Sequence, residues 1–170
     1  MIDSEEVCGK ITGLLDSSGA EYKLFSHKPA FTYAELEQAR KETGFFGTEG
    51  KCLVLKTGES FVVLVTIFSK KVDFNKVKEK LGISKIRLAA KEELKERFGA
   101  EPGCAYPFGF ESEFGIFVDP EAYSQEWFLF SPAVPSRTVQ VRGADLKKVF
   151  GSLPNRVSET GEFFFSEKPL

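Results

Sequence analysis

Histidine, tryptophan and methionine each occur once in this chain of 170 residues, and cysteine only three times. Cys8, Cys52 and Cys104 are odd in number and far apart, and His27 is the single histidine, so one chain can assemble neither a disulfide framework nor a C-x-x-C zinc site. No protein metal site and no cofactor are expected. No apolar run approaches the roughly eighteen residues needed to cross a bilayer, so no membrane partner is expected. The opening MIDSEEVCGKI carries acids where a signal peptide carries bases, which reads as a cytoplasmic, uncleaved chain. A large charge of one sign is also missing. With 23 basic and 25 acidic residues the net charge is −2, which argues against sequence-blind binding of DNA or RNA while allowing a small local basic patch.

What is present is an ordinary globular composition, 42% hydrophobic and 28% charged, with eighteen phenylalanines that must mostly be core. The length suits one domain with a sizeable core. Asp3-x-x-Glu6 followed by Val7, Ile11, Leu14 and Leu15 predicts a helix stopping at Gly19, and Thr32-x-x-Glu35 has the capping-box spacing of a second helix ending near Gly44. A short strand is expected near Tyr22–Phe25. KCLVLKT and FVVLVTIF, joined by Gly58-Glu59-Ser60, read as a buried hairpin. DFNKVKEKLG is a third helix, KIRLA a short strand and KEELKERFG a fourth helix. GIFVD, EWFLF and RTVQV are strands, and ADLKKVFG is a last helix. Hairpins mixed with helices fit an α+β fold, a single domain with a mixed sheet or partial barrel and surrounding helices, better than a doubly wound one. Residues 1–150 form this domain. The tail, residues 151–170, is polar except for Phe163–Phe165 and is expected to lie on the body or cap an edge.

GAEPGCAYPFG, residues 99–109, is too rich in glycine and proline for a regular element and reads as a loop held in one shape. GTEGK at Gly47–Lys51 resembles part of a phosphate-binding P-loop but fails it: Phe45 stands where the first glycine belongs, Cys52 replaces Ser/Thr, and a strand follows in place of a helix. Lys51 alone therefore reads as a solvated lysine. Cys104 with His27 could be a nucleophile and base, but no spacing supports the pair. Thr32 reads first as a helix cap, and Tyr106 and Phe108 as buried aromatics at the base of the loop.

Taken together, SHKPAFTYAE, Lys51 in GKCLVLK, the block from KVDF to FGF containing Gly103-Cys104-Ala105-Tyr106-Pro107, and the closing RTVQVRGADLKKVF resemble the YbaK-like, prolyl-tRNA-synthetase-associated editing domains, from about Tyr22 to Phe150. The resemblance implies a mixed α/β barrel-like fold and a trans-acting, metal-independent deacylase that removes a small non-cognate amino acid (alanine, serine, threonine or cysteine) from mischarged tRNA. Its partners would be the acceptor end of that tRNA and an aminoacyl-tRNA synthetase. In relatives the G-x-x-x-P loop presents backbone amides to the aminoacyl group, which suits a carbonyl oxygen gaining charge. On this pattern Lys51 and Gly103 are catalytic. His27, Thr32, Cys104, Ala105, Tyr106, Pro107, Phe108, Gly109, Ser131 and Thr138 bind substrate, and Lys56, Lys70, Lys71 and Arg87 bind tRNA. One stretch departs from it. Relatives that remove alanine carry His-Pro-x-x-Asn-x-x-Thr, and here Pro132 and Thr138 match while Ser131 and Pro135 do not. The competing expectation is a binding module of the same fold that recognises aminoacylated or nucleotide ligands without hydrolysis.

Overall fold

The computed structural model describes residues 2–166, so the last part of the tail, residues 167–170, lies outside the described residues. Helix α1 (Ser4–Ser17) starts where the Asp3 carboxylate accepts the Glu5 N–H at 3.0 Å, and it buries Val7, Cys8, Ile11 and Leu15 on one stripe. After strand β1 (Tyr22–Ser26), helix α2 (Tyr33–Thr43) opens on Thr32, whose hydroxyl accepts the Glu35 N–H at 3.1 Å, and closes on Gly44 at φ 85°. Strands β2 (Thr48–Thr57) and β3 (Ser60–Ile67) form the hairpin across Gly58-Glu59, with Thr57 opposite Ser60.

Three short elements follow: β4 (Lys70–Val72), α3 (Phe74–Leu81) and β5 (Arg87–Leu88). The fourth helix, α4 (Lys91–Glu93), widens into a π turn over Leu94–Phe98 and stops at Gly99, φ 63°. Strands β6 (Gly115–Val118), β7 (Trp127–Phe130) and β8 (Arg137–Arg142) precede helix α5 (Leu146–Gly151). The tail then adds β9 (Val157–Glu159) and β10 (Phe164–Ser166).

The main sheet runs β1-β8-β7-β2-β3-β6-β9, with β5 beside β2, and a separate ribbon pairs β10 with β4. Pairing is antiparallel for β1/β8, β8/β7 and β2/β3, and parallel for β7/β2, β3/β6 and β6/β9. The sheet is mixed, as the alternation of hairpins and helices predicts, and it does not close into a barrel.

Phenylalanine makes most of the interior. Phe61, Phe98 and Phe114 pack with centroid separations of 5.2–5.6 Å, and Phe108 meets Phe130 and Phe150 edge-on at 5.7 Å. Such pairs contribute about 0.5–1.5 kcal/mol each beyond area burial. A second core on the other face of the hairpin joins Leu55, Leu64 and Val77 to Phe163 and Phe164 of the tail.

Candidate functional site: a cleft where two parallel strands part

Strand β2 pairs with β7 only at Thr48 and Glu49, opposite Phe128 and Leu129; from Gly50 onward it pairs with β3. Two glycines make the close approach possible. A Cβ on Gly47 would stand 2.7 Å from the Trp127 carbonyl oxygen, and one on Gly50 would stand 2.3 Å from the Phe128 ring. The glycines of GTEGK therefore let one strand cross close over another, which is the physical reason that the partial P-loop pattern appears at the start of a strand.

Beyond Gly50 the strands diverge and a cleft of about 290 Å³ opens. It is lined by Glu49 to Leu53 of β2, Phe68 of the β3–β4 turn, Gly103 and Ala105 of the Gly/Pro loop, and Phe130 and Ser131 at the end of β7. A gap beyond the carboxyl ends of parallel strands is a recurrent place for ligands, because strand-end backbone groups there face space and not a neighbour.

The structure brings Lys51, Gly103, Ala105 and Ser131 to this one cleft. The Lys51 ammonium donates to the Lys70 carbonyl and stands 5.7 Å from the centre of the Phe68 ring. Gly103 has φ 77° with open space where a Cβ would be. The loop is fixed from behind. The Glu101 N–H donates to the Ala133 carbonyl at 2.9 Å, and Ala133 itself is held at φ 71°, a left-handed conformation that costs a non-glycine residue about 1–2 kcal/mol.

The rest of the loop points elsewhere. Cys104 is buried, its N–H donates to Glu101 at 2.9 Å, and burial pushes its thiol up to about 12, so it carries no thiolate at neutral pH. The Tyr106 hydroxyl donates to the Phe98 carbonyl at 2.5 Å inside the core. Pro107 and Phe108 are buried, and Gly109 packs under α1 against Ile11. None of these five is among the residues lining the cleft.

His27 lies at the end of the β1/β8 pairing. Its Nδ1 is 2.8 Å from the Lys28 carbonyl, so Nδ1 carries the proton, and in the neutral ring Nε2 accepts from the buried Thr138 hydroxyl at 2.8 Å. Both ring nitrogens are thus engaged away from Cys104. Thr32 is exposed and occupied as the α2 cap.

The four cations expected to meet tRNA are dispersed. Lys56 and Arg87 face each other across β2/β5 and share Glu93 at 3.0 and 2.7 Å; Arg87, the Ala90 N–H and Lys56 together hold the Glu93 carboxyl down to about 2. Lys70 reaches Asp119 at 2.8 Å and also Glu121. Burial alone would lower its ammonium, but these hydrogen bonds raise it. Lys71 is exposed on β4.

Glu49 was not foreseen. Its buried carboxylate has a single long contact to Arg40, 3.6 Å, and Oε2 lacks a hydrogen-bond partner. Burial raises it to about 7, against the opposing charge of Arg40. Only the fold could reveal this, since in sequence Glu49 is one acid among many. Among the described residues no cluster of three His, Cys, Asp or Glu gathers as for a metal, and no helix is long and apolar enough to cross a membrane.

These features define a class: a mixed-sheet α+β domain whose candidate cleft sits where two parallel strands part, bordered by the Gly/Pro loop. The sequence profile of the aminoacyl-tRNA editing domain matches residues 27–149, and the chain belongs to that family of aminoacyl-tRNA hydrolases. It is 24% identical over 139 residues, 79% of this chain and 85% of the other, to a prolyl-tRNA editing protein, ProX, of Acetoanaerobium sticklandii. A 69-residue stretch, 41% of this chain, is 33% identical to proline–tRNA ligase of Bacillus pumilus but spans only 12% of that enzyme. Among solved structures, a hypothetical protein superposes with TM-score 0.71 at 20% identity, covering 88% of this chain and 97% of the other. A candidate trans-editing enzyme for prolyl tRNA synthetase gives 0.69 at 19% identity, covering 90% and 95%. The fold is that of the editing domains.

Proposed function

We propose that this chain acts in trans, in the cytoplasm, on a tRNA mischarged with a small amino acid, and that the acceptor end enters the β2/β7 cleft. The observation that supports this most is the convergence of Lys51 with Gly103 and Ala105 inside a region matching the editing-domain profile. The names of the relatives, a prolyl-tRNA editing protein and a proline–tRNA ligase, favour proline tRNA as the carrier.

An aminoacyl ester is already reactive, so hydrolysis needs position and charge stabilisation more than a strong nucleophile. Water adds to the ester carbonyl carbon, the carbonyl oxygen gains negative charge, and the ribose hydroxyl leaves with a proton. The Cys104 N–H is committed to Glu101, so the amides offered to that oxygen are those of Gly103 and Ala105. The cleft wall at Gly103, Ala105 and Ser131 sets the size of amino acid admitted, while Lys51 supplies a cation for the terminal phosphate.

The test is release of labelled amino acid from alanyl-, seryl-, threonyl- and cysteinyl-tRNA at catalytic enzyme concentration. Lys51→Ala should lower kcat/KM for every accepted substrate by a similar factor, on the order of 10–100-fold for a lost charge-assisted contact. Gly103→Ala should reorder the substrates. Tight binding with no turnover in the wild type would establish the non-hydrolysing module instead.

A further inference from the structure

Tyr33, the first residue of α2, and Phe68, in the β3–β4 turn, stack nearly parallel, with ring centroids 5.2 Å apart and an interplanar angle of 17°. Both are solvent-exposed, Tyr33 at 53% and Phe68 at 51%. A centroid separation this large at so small an angle means that the rings are offset, leaving face area of each uncovered. Single exposed aromatics are common on protein surfaces; a flat exposed pair drawn from two distant elements is not how apolar rings usually meet water.

The pair is held in place. The Phe68 N–H donates to the Glu49 carbonyl at 2.8 Å, and the Lys51 ammonium lies 5.7 Å from the Phe68 ring while donating to the carbonyl of Lys70, two residues on. Phe68 also lines the cleft. A flat aromatic surface, a neighbouring cation and a cleft for an ester are thus contiguous. In an aminoacylated terminal nucleoside, base, phosphate and ester are likewise contiguous, and only a ribose separates base from ester.

We propose that the Tyr33–Phe68 stack seats the terminal adenine of the acceptor end, the base adding a third ring to the stack while the aminoacyl ester enters the cleft. This rests on the deacylase reading for the identity of the ligand. Stacking on aromatic faces suits single-stranded ends, where bases are unpaired and a π face is available whatever the sequence. A second surface pair, exposed Phe46 with half-buried Trp127, does not offer this surface. Its rings meet edge-on at 77°, Arg142 covers Trp127 at 4.2 Å, and neither ring lines the cleft.

The experiment uses an uncharged tRNA minihelix whose terminal adenine is replaced by 2-aminopurine, a base whose fluorescence is quenched by stacking. The wild type should quench it on binding. Tyr33→Ala and Phe68→Ala should lose the quench and weaken binding on the order of 10–100-fold. Phe68→Leu, which keeps apolar bulk without a π face, should also lose the quench, whereas Tyr33→Phe and Phe46→Ala should keep it. No binding, binding without quench, or a quench unchanged in Phe68→Ala and Phe68→Leu would each overturn the proposal. Because the readout needs no hydrolysis, a wild type that quenches through Phe68 yet releases no amino acid would remove the deacylase reading and leave the base seat standing.

Discussion

Glu49 shows how one side chain can set a pH dependence. Its pKa is raised from 4.5 to about 7, first by burial, with Arg40 opposing and Glu37 adding to the rise. Between those two values the folded chain holds a proton that the unfolded chain has released, so this group makes stability fall as pH climbs from 4.5 to about 7 and level off above. The shift corresponds to about 3 kcal/mol. Glu93 is held at about 2, so its contribution is lost only as pH falls below 4.5, in a separate window. Glu49→Gln should therefore flatten the dependence of urea unfolding free energy on pH between 5 and 7. An equally steep decline in the variant would show that Glu49 does not carry the effect.

At the scale of elements, β2 decides where the cleft opens. Its first residues lie so close on β7 that a methyl group at Gly50 would meet the Phe128 ring at 2.3 Å and the Leu129 carbonyl oxygen at 2.8 Å. Overpacking of this kind costs about 1–3 kcal/mol. Gly50→Ala should lower Tm by roughly 3–10 °C and shift Lys51 enough to reduce kcat/KM, whereas Gly151→Ala, with nothing within 4 Å of the new Cβ, should leave both unchanged. An unaltered Tm in Gly50→Ala would show that β2 can lift from β7 freely. Elements with local signals were legible in sequence. Asp3, Thr32, Gly44 and Gly82 end helices by chemistry confined to a few neighbouring residues, and the β2/β3 hairpin announces itself by its turn. The short strands β4 and β9, three residues each, have no periodicity to read; they exist because an edge is there to pair with. The same divide runs through the site. Lys51 and Gly103 belong to motifs and could be named, but that Gly103 and Ala105 face the cleft while Tyr106 and Phe108 face the core depends on how the loop is pinned by Ala133. Phe68 and Tyr33 are thirty-five positions apart, and their meeting is tertiary.

Across the whole molecule, the tail links stability to the site. Phe163 is fully buried, packs against Phe117 at 5.3 Å, and its carbonyl accepts the N–H of Asp73, the residue that caps α3. Beside it β10 pairs with β4, setting Phe164 opposite Val72 and Phe165 opposite Lys71. Strand β4 in turn supplies the Lys70 carbonyl that receives the Lys51 ammonium, and the Lys70 side chain ties that strand to Asp119 and Glu121. A cavity at position 163 should thus be felt in two ways. Phe163→Ala should cost about 3–5 kcal/mol of stability, seen as a lower urea midpoint with the same slope. It should also loosen β4, so that hydrogen exchange of the β4 amides speeds up and kcat/KM falls under conditions where the chain is still folded. The control is Leu64→Ala, which opens the same second core from the central hairpin while keeping the Phe163 side chain itself; at matched loss of stability it should leave β4 exchange slower than in Phe163→Ala. If both variants lost stability but Phe163→Ala kept full kcat/KM and unchanged β4 exchange, the ion pairs of Lys70 alone would hold β4, and the tail would serve the core without reaching the cleft.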